Sequence, residues 1–269
     1  MPDRIVFAKA ESLRNDFIVV RDSRSPRRWT PSRVAAICDR RRGVGADGLV
    51  ILGPRRAGRI PFILCNGDGS RAEWSGNGIR CAAAFLGQTR PGPAHLILAT
   101  GAGPIDVDLR SRSTGRVDVS FARPWPVVRD KLGHRLSHPP AISRVWSVDA
   151  GNPHWVFQVR DFRFDWEAFG RECQPRASAT RGVNVGFVRI PNRRTIEMRL
   201  YERGVGPTPS SGSGALAAVA ACREYDLIDD RVQVTAPGGT QAARCDMDNR
   251  TIRLAAAARV VFEGYWTLQ

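Results

Sequence analysis

The chain repeats itself once, and this constrains its fold more than any other feature of the sequence. Ser75-Gly76-Asn77-Gly78-Ile79-Arg80-Cys81-Ala82-Ala83-Ala84 resembles Ser211-Gly212-Ser213-Gly214-Ala215-Leu216-Ala217-Ala218-Val219-Ala220, 136 residues further on. Asn15-Asp16-Phe17-Ile18-Val19-Val20 is echoed by Asn152-Pro153-His154-Trp155-Val156-Phe157 at a spacing of 137, and Gly48-Leu49-Val50 by Gly186-Phe187-Val188 at 138. Three nearly equal spacings, each close to half of 269 residues, imply a duplicated domain. The expected halves are 1–125 and 145–269, joined by a Pro-containing linker over 126–144.

Each half has the same local grammar. Runs such as Phe17–Val20, Leu49–Leu52, Pro61–Leu64, Val117–Phe121, Trp155–Val159 and Ile196–Leu200 are rich in Val, Ile and Phe and bounded by turn formers, which reads as strands. Each half also carries one Ala-rich helix, expected over 78–87 and 214–225, opening from the Ser-Gly-x-Gly turn. A helix that is apolar nearly all round must be buried. The fold class expected is therefore α+β, two pseudo-symmetric halves, each a sheet wrapped around a central helix.

The two turns are where chemistry is expected. A helix N-terminus leaves backbone N–H groups unpaired and carries partial positive charge. Glycines let a ligand approach that backbone closely, so a carboxylate fits there. Ser75 or Ser211 taken singly is most simply an N-cap. Duplication of the whole motif favours a pair of half-sites facing each other across a cleft between the halves.

Bulk properties remove other classes. The formal charge is +15, but the basic residues are nearly all Arg, scattered, and not interleaved with aromatics, so no nucleic-acid partner is expected. The surplus still favours anionic ligands. No run approaches the ~20 apolar residues of a membrane span, and the first residues lack a signal-peptide layout; no membrane association and a cytoplasmic location are the expectation. The six cysteines form no CxxC pair, so no metal is expected. There is no strand-linked GxGxxG and no P-loop, and Lys9 and Lys131 lie outside the repeated motifs, so no flavin, nicotinamide or pyridoxal cofactor is expected either. His95, His134 and His138 read as surface residues.

Across almost its whole length the sequence resembles the diaminopimelate epimerase family of cofactor-independent amino-acid racemases and epimerases. The stretches that carry the resemblance are Asn15-Asp16-Phe17, the run from Asp39 to Gly48, Asn66-Gly67-Asp68-Gly69-Ser70, Gly76-Asn77-Gly78-Ile79-Arg80-Cys81, Gly151-Asn152-Pro153-His154, Val183-Asn184-Val185-Gly186 and Glu202-Arg203-Gly204-Val205-Gly206. The resemblance implies two α/β halves, each a strand barrel around a helix, and a small amino-acid-like or carboxylate-bearing substrate. It implies that a thiolate removes the substrate's Cα proton from one face while a thiol returns it on the other. It places that pair at Ser75 and Ser211. It further implies substrate contacts from Asn15, Asn66, Asn152, Asn184, Glu202 and Arg203, carboxylate binding by the Gly76-Asn77 and Gly212-Ser213 backbones, and His154 and Glu202 beside the acid–base pair. A homodimer is also expected.

The departures matter as much as the matches. A thiol ionises near pH 8.5 and can be lowered by a helix N-terminus, whereas a Ser hydroxyl needs a partner base. Both family cysteines are serine here, Arg14 stands where the family has Gly, Pro207 where it has Glu, and bulky Trp74 precedes Ser75. Arg14 and Trp74 point to a substrate other than diaminopimelate. The expected activity is proton transfer on an amino acid or a derivative of one, as an isomerase, lyase or cyclase of altered chemistry, with His154 or Glu202 as base. Asp68 and Glu73 are secondary candidates, more simply read as turn carboxylates. A non-catalytic ligand-binding homologue, and an epimerase carrying a double Cys-to-Ser exchange, are the alternatives.

Overall fold

A computed structural model of the chain describes residues 4–22, 28–88, 94–113, 116–130, 138–176 and 182–267. They divide into two compact units, Met1–Ala122 with Ala255–Gln269, and Arg123–Leu254.

The first unit is a closed barrel around a helix. Its strands are β1 (Arg4–Ser12), β2 (Asn15–Arg21), β3 (Gly48–Leu52), β4 (Arg59–Asn66), the short β5 (Arg71–Ala72), β6 (His95–Thr100), β7 (Gly103–Ser113) and β8 (Arg116–Pro124), with the last strand of the chain, β17 (Thr251–Thr267). β1 pairs antiparallel with β17 and β2, β2 parallel with β3, and β3 antiparallel with β4. β4 runs parallel to β6, and β6, β7 and β8 follow as antiparallel neighbours. β8 then pairs with β17, which closes the ring of eight strands. Closure leaves no open sheet edge.

Inside the ring runs α2 (Gly76–Leu86), ten of whose eleven residues are buried. It packs on β1, β2 and β3. Ala82, Ala83 and Ala84 keep the helix thin enough for the barrel, and a Cβ at Gly87 would come within 2.6 Å of Leu109 on β7. Fully buried Leu, Ile and Phe side chains around it, such as Ile18, Leu98 and Phe121, each contribute about 1.5–3 kcal/mol by leaving water. Outside the barrel, α1 (Pro31–Cys38) begins at the Thr30 cap with Pro at its first position and lays Val34, Ile37 and Cys38 against the core.

The second unit repeats the plan with β9 (Val127–Arg129), β10 (Ile142–Asp149), β11 (Pro153–Val159), β12 (Asn184–Asn192), β13 (Thr195–Glu202), β14 (Gly206–Thr208), β15 (Arg231–Ala236) and β16 (Gly239–Asp246). Its buried helix is α4 (Gly212–Glu224), and α3 (Trp166–Arg176) covers the sheet with Phe169 packed on Phe157. The parallel steps fall in the same places, β11 beside β12 and β13 beside β15. This is the internal symmetry the sequence announced.

Four expectations need correction. The unit boundaries are not 1–125 and 145–269, because residues 255–267 complete the first barrel through β1, paired from Arg4 opposite Thr267 to Glu11 opposite Arg259 with one register shift after Lys9. The expected linker over 126–144 includes β9 and the start of β10; Lys131 and His134 within it lie outside the described residues. Each unit also has a second helix, α1 or α3, beyond the one expected. Finally, Gly48 corresponds to Asn184, not Gly186. Phe17 faces Gly48 and its counterpart His154 faces Asn184, whereas Gly186 faces Val156.

Candidate active site

Both Ser-Gly-x-Gly turns are helix N-caps of nearly identical geometry. Ser75 has φ −143° and ψ 129°, and Ser211 φ −143° and ψ 128°. Each helix therefore starts two residues earlier than expected, at Gly76 and Gly212. Ser75 Oγ accepts from Gly78 N at 3.1 Å and Ser211 Oγ from Gly214 N at 3.0 Å. Ser211 Oγ also lies 3.4 Å from Ser213 Oγ. Among the described residues, no carboxylate or imidazole stands at hydrogen-bond distance from either serine hydroxyl, so neither has a base to activate it.

In the first unit Gly76 and Asn77 follow Ser75 at the start of α2, Asn77 meets Asn15, and Asn66 ends β4 opposite Gly48. Asn15 opens β2 directly after a two-residue turn in which Leu13 and Arg14 have φ 54° and 62°. That left-handed turn explains why glycine suits position 14; Gly151, before Asn152 in the second unit, has φ 85°. Asn77 is buried, with its amide donating to Asn15 Oδ1 at 3.2 Å. Its side chain is thus turned inward. The Asp39–Gly48 run forms an ion cluster beside Asn15, in which Asp16 meets Lys9 at 2.6 Å and Arg40 at 2.7 Å. Burial pushes the Asp16 carboxyl up, but the hydrogen bonds from Arg40 and Lys9 prevail and hold it well below the usual carboxylate range. Asn66 donates to Ser70 Oγ at 2.9 Å in the β4–β5 turn. Asp68, exposed, accepts from the Ser70 hydroxyl and backbone, which lower its pKa; it is a turn carboxylate. Trp74 is buried edge-on against Phe121 at 6.0 Å, so it fills the barrel core and says nothing about ligand size.

In the second unit a series of contacts leads from Ser211 through Ser213 and Asn152 to His154, and from His154 across the strands to Asn184 and Arg203. Asn184 donates to the Pro153 carbonyl at 3.2 Å and accepts from Arg203 N at 3.1 Å. The β12–β13 register, with Val185 opposite Tyr201, brings half-buried Glu202 opposite Asn184, the slot Asn66 fills opposite Gly48. His154 is 2% exposed and its Nε2 lies 3.0 Å from Asn152 Oδ1. Burial, helped by the nearby Arg203 charge, pushes its pKa down to about 3. His154 is therefore a neutral hydrogen-bonding ring and a weak base, which counts against it and for Glu202 among the two expected bases. His95 is exposed between Asp106 and Asp108, and His138 is half-buried with its Nδ1 3.3 Å from the Pro139 carbonyl.

None of the cysteines makes up for the missing thiols. All six are buried, and burial pushes the Cys222 thiol in α4 up to about 12 and that of Cys81 in α2 well above its ordinary value. Sequence reasoning passed over Asp47, Arg80 and Thr208. Asp47 and Arg80 lay inside the matched stretches, but only contacts give them a purpose. Thr208 is buried beside the Ser211 turn, where the first unit has Ala72; each faces the matching leucine, Leu200 or Leu64.

A buried helix inside a closed strand barrel in the first unit, the same plan repeated in the second, and a capped helix start in each fit the racemase and epimerase class of isomerases. The diaminopimelate epimerase family model matches residues 7–123 and 146–260, and the chain belongs to that family. A diaminopimelate epimerase of Halorhodospira halophila is 36% identical over 96% of this chain and 93% of its own length. Among solved structures, a hydroxyproline epimerase from Agrobacterium vitis with bound trans-4-hydroxy-L-proline aligns with TM-score 0.75 over 99% of this chain and 92% of its own, at 14% identity. A phenazine biosynthesis protein of the PhzF family from Bacillus anthracis aligns with TM-score 0.69 over 98% and 99%, also at 14% identity. Both share the fold. The chain is thus an isomerase-like enzyme.

Proposed function

We propose that this enzyme moves a proton on an amino acid or amino-acid-derived substrate by a chemistry that does not use a pair of thiolates. In this reading Glu202 is the general base. Ser75 and Ser211 orient the ligand and donate hydrogen bonds to it, and the Gly76-Asn77 and Gly212-Ser213 N–H groups hold its carboxylate. Asn15, Asn66, Asn152, Asn184 and Arg203 complete the binding set.

The observation that carries this is the state of the four candidate acid–base groups. Each serine hydroxyl is engaged by its own helix with no base beside it among the described residues, and His154 is buried and neutral. Of the four, Glu202 remains, and it is half-buried. General acid–base catalysis contributes about 10²–10⁴-fold, so removing it should be plain to see.

Deuterium uptake at Cα in D₂O, screened over amino acids and small peptides including diaminopimelate, is the test. Wild type should exchange at least one of them, Glu202→Gln should lose on the order of 10²-fold or more, and Ser75→Ala should lose less. A ligand that binds without exchanging would make the chain a binding homologue. Exchange that survives Glu202→Gln and dies in Ser75→Ala would return the chemistry to the serines. The homodimer belongs to the same proposal, and light scattering in solution tests it.

A further inference from the structure

One charged side chain of the first unit has no role in the reaction described above. Arg80 lies in the second turn of α2 with none of its surface exposed, and burial pulls its pKa down to about 10. A buried guanidinium near a helix N-terminus is costly twice, through desolvation and through the helix dipole. Its counterpart 136 residues on is Leu216, so the helix position itself does not require a charge.

Arg80 Nη1 donates to Asn77 Oδ1 at 2.8 Å. Asn77 Nδ2 donates to Asn15 Oδ1 at 3.2 Å, and Asn15 Nδ2 donates to Asp47 Oδ2 at 2.6 Å. Arg40 holds the other Asp47 oxygen at 2.7 Å. Amide groups can be turned either way, but the ends of this chain cannot: a guanidinium only donates and a carboxylate only accepts. The chain therefore runs one way, from Arg80 to Asp47, and both amides between them are fixed.

The second unit lacks both ends together. Leu216 replaces Arg80 and Val183 replaces Asp47, both buried apolar residues. There the helix residue is Ser213, and Asn152 donates to it at 3.4 Å, while His154 approaches the Asn152 oxygen. So in the first unit the helix side chain donates to the strand asparagine, and in the second it accepts from it. Two positions related by duplication are wired in opposite senses.

We infer that Arg80 is a positioning residue that, through Asn77 and against Asp47, locks the Asn15 amide so that its second N–H is offered to an acceptor group of the substrate. The group taken at Asn15 is then a carboxylate or carbonyl oxygen and not an ammonium. This functional consequence rests on the amino-acid reading proposed above; the hydrogen-bond chain does not.

Side-chain amide resonances of protein labelled with ¹⁵N at asparagine test the chain directly. Arg80→Met should shift the Asn15 amide, two links away, and Arg80→Lys should restore part of that shift. From the other end, Asp47→Asn should shift the Asn77 amide, which covers the case in which Arg80→Met does not fold. An unmoved Asn15 in a folded Arg80→Met protein, or an unmoved Asn77 in Asp47→Asn, would overturn the inference. With a substrate from the deuterium screen, Arg80→Met should raise KM about tenfold with a smaller change in kcat, the loss of one well-aligned hydrogen bond; a fall in kcat at constant KM would also overturn it. A screen that finds no exchanging substrate would remove the proposed function and leave the resonance result to stand or fall by itself.

Discussion

Replacing His154 by Gln should flatten the pH dependence of stability between pH 7 and pH 5. In the folded protein the buried ring resists protonation down to about pH 3, against an ordinary value of 6.5. The folded pKa is depressed, so the unfolded chain binds the proton first as pH falls. Stability from this group is complete above about pH 6.5 and is lost progressively between there and about pH 3. Each unit of pH inside that window is worth about 1.4 kcal/mol, so the drop to pH 5 costs about 2 kcal/mol. That is a substantial fraction of the 5–15 kcal/mol that typically holds a domain together, to order of magnitude. Urea unfolding of wild type and His154→Gln at both pH values measures it. Wild type should lose about 2 kcal/mol more than the variant over that interval. Asp16, whose carboxyl is depressed by Arg40 and Lys9, loses its contribution only below the ordinary carboxylate range and leaves the interval clear. Equal losses in the two proteins would show that the ring is charged when folded, and His154 would return as a candidate base.

Three further outcomes are expected. Ser211→Ala and Ser75→Ala should each lower stability by about 1–2 kcal/mol through loss of the N-cap, read by denaturant midpoint, while Gly at either position costs a few tenths; no change would mean the caps are not formed. Arg14→Gly should stabilise by up to about 1 kcal/mol because φ 62° suits glycine, and Gly151→Ala, at φ 85°, should destabilise by about as much; thermal unfolding with the same sign for both would contradict the turn geometry. The double variant Ser75→Cys with Ser211→Cys should speed deuterium exchange at the Cα of diaminopimelate by on the order of 10²-fold or more over wild type, since each thiol ionises near pH 8.5. Absence of any gain would mean that the rest of the binding set has diverged from that substrate.

The sequence by itself determined the duplication and the two buried helices with their capped starts. Those features are local or periodic: spacing, Ala-rich composition, and glycine where the backbone needs it. The strand runs from Phe17–Val20 to Ile196–Leu200 all fall inside observed strands for the same reason. What only the tertiary structure decided depends on pairing between distant segments. The return of residues 255–267 to the first barrel follows from the β1–β17 pairing, which no local pattern contains. Burial made His154 a neutral ring although its motif looked like an acid–base group, because a pKa is set by surroundings and not by residue type. Burial also sent Trp74 into the core. The role of Arg80 appeared only when α2 lay beside β2, since a one-way chain of hydrogen bonds exists between Arg80 and Asp47 only once the barrel has closed around the helix.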